Sequence, residues 1–245
     1  MRYNLSMNMS SPRTSFGTSF AREQAIPEFI RRVFLWMSGG LALTGAVAYG
    51  VAASPALTRA ILLNRGIFWI LILVELGLVF AMTAAINKIS ASVATMFFLA
   101  YAAVNGLTMS VIFFAYTMQS IAQVFFITAA TFGAFAVYGY VTKRDLTSMG
   151  QLFFMGLIGI IIASVVNIFL ASDALSWAIS VIGVVVFCGL TAYDMQKLRS
   201  YAMGSSLEIG SEAVRKMSIV GALMLYLDFV NMFLMLLRLF GSRRN

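Results

Sequence analysis

Three carboxylic acids lie inside or at the edge of long apolar stretches of this sequence: Glu75, Asp194 and Asp228. An ionised carboxylate at the depth of a lipid bilayer costs at least ~2.5–3.5 kcal/mol, so such a group usually faces a cavity, pairs, or binds a cation or a proton. These three residues are therefore the candidates for chemistry. The other six acids fall in polar segments, where water solvates them: Glu23, Glu28, Asp145, Asp173, Glu208 and Glu212.

Asp194 and Asp228 are the two acids whose positions predict a pair. Asp194 follows the sixth apolar stretch, at its expected cytoplasmic edge, and Asp228 lies within the seventh. Consecutive helices usually pack side by side, and these two run in opposite directions, so we expect both carboxyls at a similar depth. Like-charge repulsion and desolvation would then disfavour double ionisation, and the pair would share a proton. At higher pH the pair would lose this proton and either repel and open or recruit a cation.

A calcium ion takes about six to eight oxygen ligands, so two carboxylates need help from carbonyls, water or a neighbouring side chain. Asn231, one helical turn past Asp228, is such a side chain. We therefore expect a weak calcium site at Asp194 and Asp228, suited to permeation or sensing, with Glu75 as a secondary acid of the pathway.

The alternative is that these acids have purely structural roles. Asp194 would then cap a helix or form a salt bridge at the membrane surface, and Asp228 would hydrogen-bond an unwound helix. Glu75 has a similar structural alternative. Asn105 and Asn167 are also polar residues in apolar stretches, and such residues are more typical of hydrogen bonds between helices.

Two features of the composition exclude much of enzyme chemistry. The sequence has no histidine and a single cysteine, Cys188, within an apolar run. Ser-His and Cys-His nucleophile pairs, histidine-ligated zinc and Cys-x-x-Cys redox chemistry are therefore excluded. We expect no enzymatic activity and no tightly bound cofactor, although a protease built on two aspartates is compatible with the residue counts.

The elements that must position the acids are membrane-spanning helices. Hydrophobic residues make up 61% of the chain and charged residues 11%, far from the composition of a soluble domain. We expect a flexible polar tail over residues 1–25, a seven-helix transmembrane domain over 26–241 and a basic end at 242–245. The predicted spans, each near the ~20 residues that cross a bilayer, are Val33–Ala53, Ile67–Ile86, Ser92–Tyr116, Ile121–Val141, Gln151–Ala171, Leu175–Tyr193 and Ile219–Phe240.

The basic residues indicate orientation and not nucleic-acid binding, because they cluster at the ends of the apolar stretches. A cytoplasmic N-terminus places twelve Lys and Arg residues inside and five outside, as the positive-inside rule requires. The basic C-terminus conflicts with this arrangement, since seven crossings put it outside. A re-entrant seventh segment is the alternative.

Four strings in order resemble the Bax inhibitor family, also called transmembrane Bax inhibitor motif proteins: Asn105–Phe113, Tyr138–Leu146, Ala192–Asp194 and Leu225–Asn231. The resemblance runs from the first apolar stretch to the last. It implies an all-α membrane protein whose last helix is central and surrounded by six others. It also implies a pH-sensitive calcium leak gated by an aspartate pair, which maps onto Asp194 and Asp228.

The resemblance further implies an acid in the second helix, matched by Glu75, and location in the inner (plasma) membrane of a bacterium. Some members carry an arginine near the inner end of that helix, which latches one aspartate in the open state. This sequence has Ala84–Lys88 there, and Lys88 is the candidate substitute.

Two rival functions remain at this stage. Some bacterial family members resemble partners, modulators or substrates of a membrane-bound ATP-dependent protease complex, for which the polar tail would serve as a handle. An intramembrane aspartyl protease would use the same acid pair to activate water. The second rival is disfavoured because the aspartates do not stand in the Tyr-Asp plus Gly-x-Gly-Asp pattern of those enzymes.

Overall fold

The computed structural model describes residues 14–62, 64–204 and 211–244 of the chain. Within them the protein is helical, and the one exception to helix, turn and coil is an isolated β-bridge between Tyr116 and Arg243. The helices are α1 (Thr14–Ala53), α2 (Pro55–Leu62), α3 (Arg65–Ala85), α4 (Ala91–Met109), α5 (Ile112–Ala115), α6 (Met118–Val141), α7 (Thr147–Leu170), α8 (Asp173–Gly204) and α9 (Glu212–Phe240).

Seven helical segments in the described residues are long and apolar enough to cross a membrane, which confirms the predicted number of spans. They lie in α1, α3, α6, α7, α8 and α9, with α4 and α5 together forming the third span. Large apolar side chains cover the outside of the bundle; Phe80 is 71% exposed and Phe169 is 85% exposed. A surface of this kind is stable in lipid and not in water.

The last helix, α9, is central, as predicted. In the apolar window of each span, 72% of residues are buried in α9, against 6% in α3 and in α7. Helices α1, α4, α6 and α8 pack extensively on α9, whereas α3 packs on α4 and α7 packs on α8. The six surrounding helices therefore form a nearer layer of four and an outer layer of two. Residues on α9 are consequently the best shielded from lipid.

Several helices extend beyond the predicted spans. Helix α1 begins at Thr14 and so includes residues 14–25 of the predicted tail; residues 1–13 lie outside the described residues. Helix α8 continues to Gly204 instead of ending at Tyr193. Hydropathy marks where a chain leaves hydrocarbon, but backbone hydrogen bonds propagate further at low cost when the following residues favour helix.

Helix α9 is continuous from Glu212 to Phe240, which corrects the re-entrant alternative for the seventh segment. Its C-terminal extension pairs with the connection between α5 and α6: the Thr117 amide donates to the Ser242 carbonyl, and the Arg244 amide donates to the Ala115 carbonyl. The end of α9 therefore lies on the same side of the bundle as that connection, as seven crossings require.

Candidate functional site

Asp228 lies near the middle of α9 and is 5% exposed. Its Oδ2 atom is buried and has no hydrogen-bond partner among the described residues. Buried polar atoms are nearly always hydrogen-bonded, and an unpaired charged oxygen is the most costly exception. The predicted alternative, in which Asp228 hydrogen-bonds an unwound helix, fails because α9 is continuous at this point.

Asp194 is brought to Asp228 because α8 packs along α9. Among the described residues, Asp194 is the charged group that acts on Asp228. Asp194 is partly buried and stands ten residues before α8 ends at Gly204, so the expectation that it ends its helix is corrected. Its cationic neighbour is Lys197, one turn further along α8, whose Nζ atom lies 5.9 Å from the centre of the Tyr193 ring.

Thr191 is a third member of this site, and the sequence analysis did not select it. Its side chain is fully buried and lies next to the Asp228 carboxyl, and its hydroxyl donates to the Phe187 backbone carbonyl over 2.7 Å. A hydroxyl has one proton to donate and two lone pairs to accept with. While the Thr191 hydroxyl donates to Phe187, it can bond to Asp228 only as an acceptor, from a protonated carboxyl. An ionised Asp228 instead requires the hydroxyl to turn away from Phe187.

The C-terminal half of α8 is fixed by the connection between α6 and α7. The Gln196 side chain donates to the Arg144 carbonyl (2.7 Å) and accepts from the Leu146 amide (2.8 Å). Helix α6 approaches closely at Gly139, where any side chain would collide with the Ala192 carbonyl. The string Tyr138–Leu146 therefore holds the helix that carries Thr191 and Asp194.

The same connection is tightened by two further contacts. Asp145 accepts from the backbone amide (2.9 Å) and the hydroxyl (2.6 Å) of Thr147, and these hydrogen bonds lower the pKa of Asp145. On α7, a Cβ atom at Gly150 would lie 2.5 Å from the Tyr193 ring. The contact between Gly150 and Tyr193 restricts movement of α8 next to Asp194.

Glu75 belongs to a separate polar cluster on α3 and α4. Its carboxylate accepts from the Thr108 hydroxyl (2.6 Å) and the Asn105 amide (3.4 Å). Asn105 in turn accepts from the Tyr226 hydroxyl of α9 (2.9 Å), which lies 2.6 Å from the Thr44 hydroxyl of α1. The structure therefore does not bring Glu75 to the aspartate pair, and it links Glu75 to the opposite side of α9.

The predicted roles of the two asparagines between helices are confirmed. Asn105 joins α4 to α3 and α9 through the bonds just described. Asn167 on α7 donates to the Ser176 hydroxyl of α8 over 2.7 Å.

Asn231 and Lys88 are the two remaining residues predicted for the site. The Asn231 amide donates to the Leu227 carbonyl of its own helix (2.8 Å), so its side-chain oxygen is the part available to a ligand. Lys88 is exposed in the turn after α3. Among the described residues, the charged group that interacts with Asp194 is Lys197 and not Lys88, so the proposed replacement of the latch arginine is not formed in this structure.

The described residues contain no group of three or more His, Cys, Asp or Glu side chains that could hold a metal ion. Two carboxyls with one amide oxygen and backbone carbonyls nearby suit a cation that passes or binds weakly. They do not form the complete carboxylate cage of a storage site.

Comparison with known proteins gives consistent similarities. Residues 26–245 match the family described as Inhibitor of apoptosis-promoting Bax1. The inner membrane protein YbhL of Escherichia coli is 51% identical over 217 residues, covering 88% of this chain and 92% of YbhL. An uncharacterized protein of Borreliella burgdorferi is 47% identical over 218 residues (89% and 93%), and an uncharacterized membrane protein of Streptococcus pyogenes is 36% identical over 217 residues (87% and 92%).

Proposed function

The chain belongs to the Bax inhibitor family, and from this premise we propose that it is a pH-sensitive calcium leak channel or transporter gated by Asp194 and Asp228. We place it in the inner membrane of a bacterium with a cytoplasmic N-terminus. The Escherichia coli relative YbhL, an inner membrane protein, and the distribution of basic residues support this location.

The buried and unpartnered Oδ2 atom of Asp228 is the observation that carries the proposal. No lysine or arginine of the described residues forms an ion pair with this carboxyl. A carboxylate that is buried without a counter-charge is costly, and the neighbouring Asp194 adds repulsion. A proton or a cation relieves both costs, so occupancy of the site depends on pH.

Gating follows from the proton balance of this site. With a proton shared by the pair, α8 and α9 pack closely and the path is closed. When the proton leaves, two carboxylates face one another across the α8–α9 contact, and they either separate the helices or recruit a calcium ion. Calcium flux should therefore rise as pH rises.

Thr191 couples the protonation of Asp228 to α8. The hydroxyl proton points to Phe187 when Asp228 is protonated and turns to Asp228 when the carboxyl ionises. Ionisation therefore costs α8 a hydrogen bond to its own backbone, one turn away from Asp194.

The proposal is tested by calcium flux into proteoliposomes as a function of pH. Wild type should show pH-dependent flux, and Asp228→Asn should remove the pH dependence, because the amide cannot ionise. Glu212→Gln is the matched control, since Glu212 is an exposed acid in the first turn of the helix that carries Asp228; its flux should titrate like wild type. Wild-type protein that passes no calcium at any pH would refute the channel. Unchanged pH dependence in Asp228→Asn would refute the role of Asp228 as sensor.

A further inference from the structure

A second cavity lies at the end of the bundle far from the aspartate pair, where α7 meets α8 and α9 ends. Its volume is about 640 Å³, and its lining contains charges of both signs: Arg238 and Arg243 on one side and Asp173 on the other. Ligand cavities in proteins usually measure about 300–1,000 Å³, so the space suits a small molecule or a lipid head group.

These three charged residues are unpaired. In the described part of the chain the ion pairs are those of Glu28 with Arg31 and Arg32, so Asp173, Arg238 and Arg243 have no partner within 4.0 Å. Charges of opposite sign therefore face one cavity without meeting across it. A ligand that carries both an anion and a cation could bridge them.

The arginine side of the cavity is held in place by the chain end. Arg243 pairs through its backbone with Tyr116, and the Ser242 amide donates to the Ser120 hydroxyl over 2.8 Å. Gly241 permits this path, because a Cβ atom there would lie 2.6 Å from the Tyr116 ring. Tyr116 and Arg243 both line the cavity.

The acidic side is held by the turn between α7 and α8. Asn167 accepts from the Ser172 amide over 3.0 Å and donates to the Ser176 hydroxyl over 2.7 Å. These bonds close the turn that precedes Asp173, the first residue of α8. Both charged walls of the cavity are thus attached to ordered backbone.

The cavity also has an apolar part that faces lipid. Ile168 is 62% exposed and Trp177 is 64% exposed, and both line the cavity. Ile179, a further lining residue, lies about 9 Å below Asp173 along α8, at 1.5 Å per residue. Tryptophan is enriched where lipid head groups meet acyl chains.

We propose that this cavity binds the head group of a zwitterionic, amine-bearing phospholipid, with its phosphate at Arg238 and Arg243 and its ammonium at Asp173. Charged pockets between transmembrane helices bind lipid head groups in this way, and arginine suits phosphate geometry. Two arginines repel a divalent cation. Asp173 disfavours a head group that is only anionic. The bound lipid links the beginning of α8 to the end of α9, the two helices that carry the aspartate pair.

The test is lipid binding to the detergent-purified full-length protein, measured by native mass spectrometry. The probes are palmitoyl-oleoyl phosphatidylethanolamine, phosphatidylglycerol with the same chains, and soluble phosphoethanolamine. Wild type should prefer phosphatidylethanolamine. Arg238→Gln with Arg243→Gln should weaken binding of both lipids about tenfold, the effect of losing one to two charge-assisted bonds. Asp173→Asn should erase the preference for phosphatidylethanolamine while keeping binding of phosphatidylglycerol.

Arg244→Gln is the matched control, because Arg244 is an adjacent exposed arginine outside the cavity lining; it should bind both lipids like wild type. Equal binding of the two lipids by wild type would overturn the proposal, as would equal losses in the Arg244→Gln control and the double variant. If phosphoethanolamine competes at the same concentration as the lipid, the site binds a free phosphate ester, and the proposal that it binds a phospholipid is overturned.

Discussion

Replacing Thr191 with valine should move the midpoint of calcium flux to higher pH. Valine keeps the shape of the side chain and removes the hydroxyl that contacts Asp228. The protonated and the ionised form of Asp228 then both lose a partner, but an unpaired buried charge costs more than an unpaired neutral group. A difference of about 1.4 kcal/mol between the two losses corresponds to a shift of about one pH unit. Loss of the ionised partner raises the midpoint because deprotonation becomes harder.

The assay is a pH titration of calcium flux in proteoliposomes, with two matched variants. Thr191→Ser keeps the hydroxyl and should titrate like wild type. Thr128→Val is the control for packing, because Thr128 is also fully buried and donates to a carbonyl four residues earlier, Val124, over 2.8 Å. A Thr191→Val midpoint equal to wild type, or an equal shift in Thr128→Val, would refute the reasoning.

Three further predictions concern the framework around the site. Gly139→Ala should lower the free energy of unfolding in detergent by about 1–3 kcal/mol, because its Cβ atom would meet α8. The control is Gly133→Ala, whose Cβ atom would meet open space on the same helix and should leave stability unchanged. Equal effects of the two substitutions would contradict the close packing of α6 on α8. Tyr226→Phe should lower the same free energy by about 1–3 kcal/mol through the lost bond to Asn105. It should leave the pH midpoint of calcium flux unchanged. A shifted midpoint would show that the Glu75 cluster and the aspartate pair are coupled, and would contradict their separation. Removing residues 1–25 should leave calcium flux and its pH dependence intact, and loss of flux would assign the tail a role in transport.

The number of spans was predictable from hydropathy, and the central last helix was predictable from the resemblance to the family. It misplaced the ends of helices where the chain continues as helix outside the hydrocarbon. Asp194 was expected at a helix terminus, and it lies well inside α8 because hydropathy falls at Tyr193 while helix formation does not stop there. Such ends depend on contacts like those of Gln196, which no local pattern reveals.

Asp194 and Asp228 could be selected as candidates from the sequence because a carboxylate in or beside an apolar stretch is rare and costly. Thr191 was not selected, because a threonine that donates to its own helix is common in membrane helices and carries no signal by itself. Its position three residues before Asp194 is the clue that could have selected it. The partners of Glu75 were equally hidden, since they come from α4, where Asn105 and Thr108 are distant in sequence.

Lys88 shows the limit of transferring a role by position. A lysine near the end of α3 is exposed, whereas Lys216 of α9 donates to the Ile89 carbonyl over 2.7 Å and ties that end of α3 to the central helix. Tertiary packing decided which lysine forms a contact at this end of α3, and position in the sequence did not.

The most direct test of gating by the aspartate pair is calcium flux titrated against pH for wild type beside Asp228→Asn. We predict that wild-type flux rises with pH and that Asp228→Asn flux is constant across the same range. Wild-type flux that is absent at every pH, or an Asp228→Asn titration that overlays wild type, would contradict it.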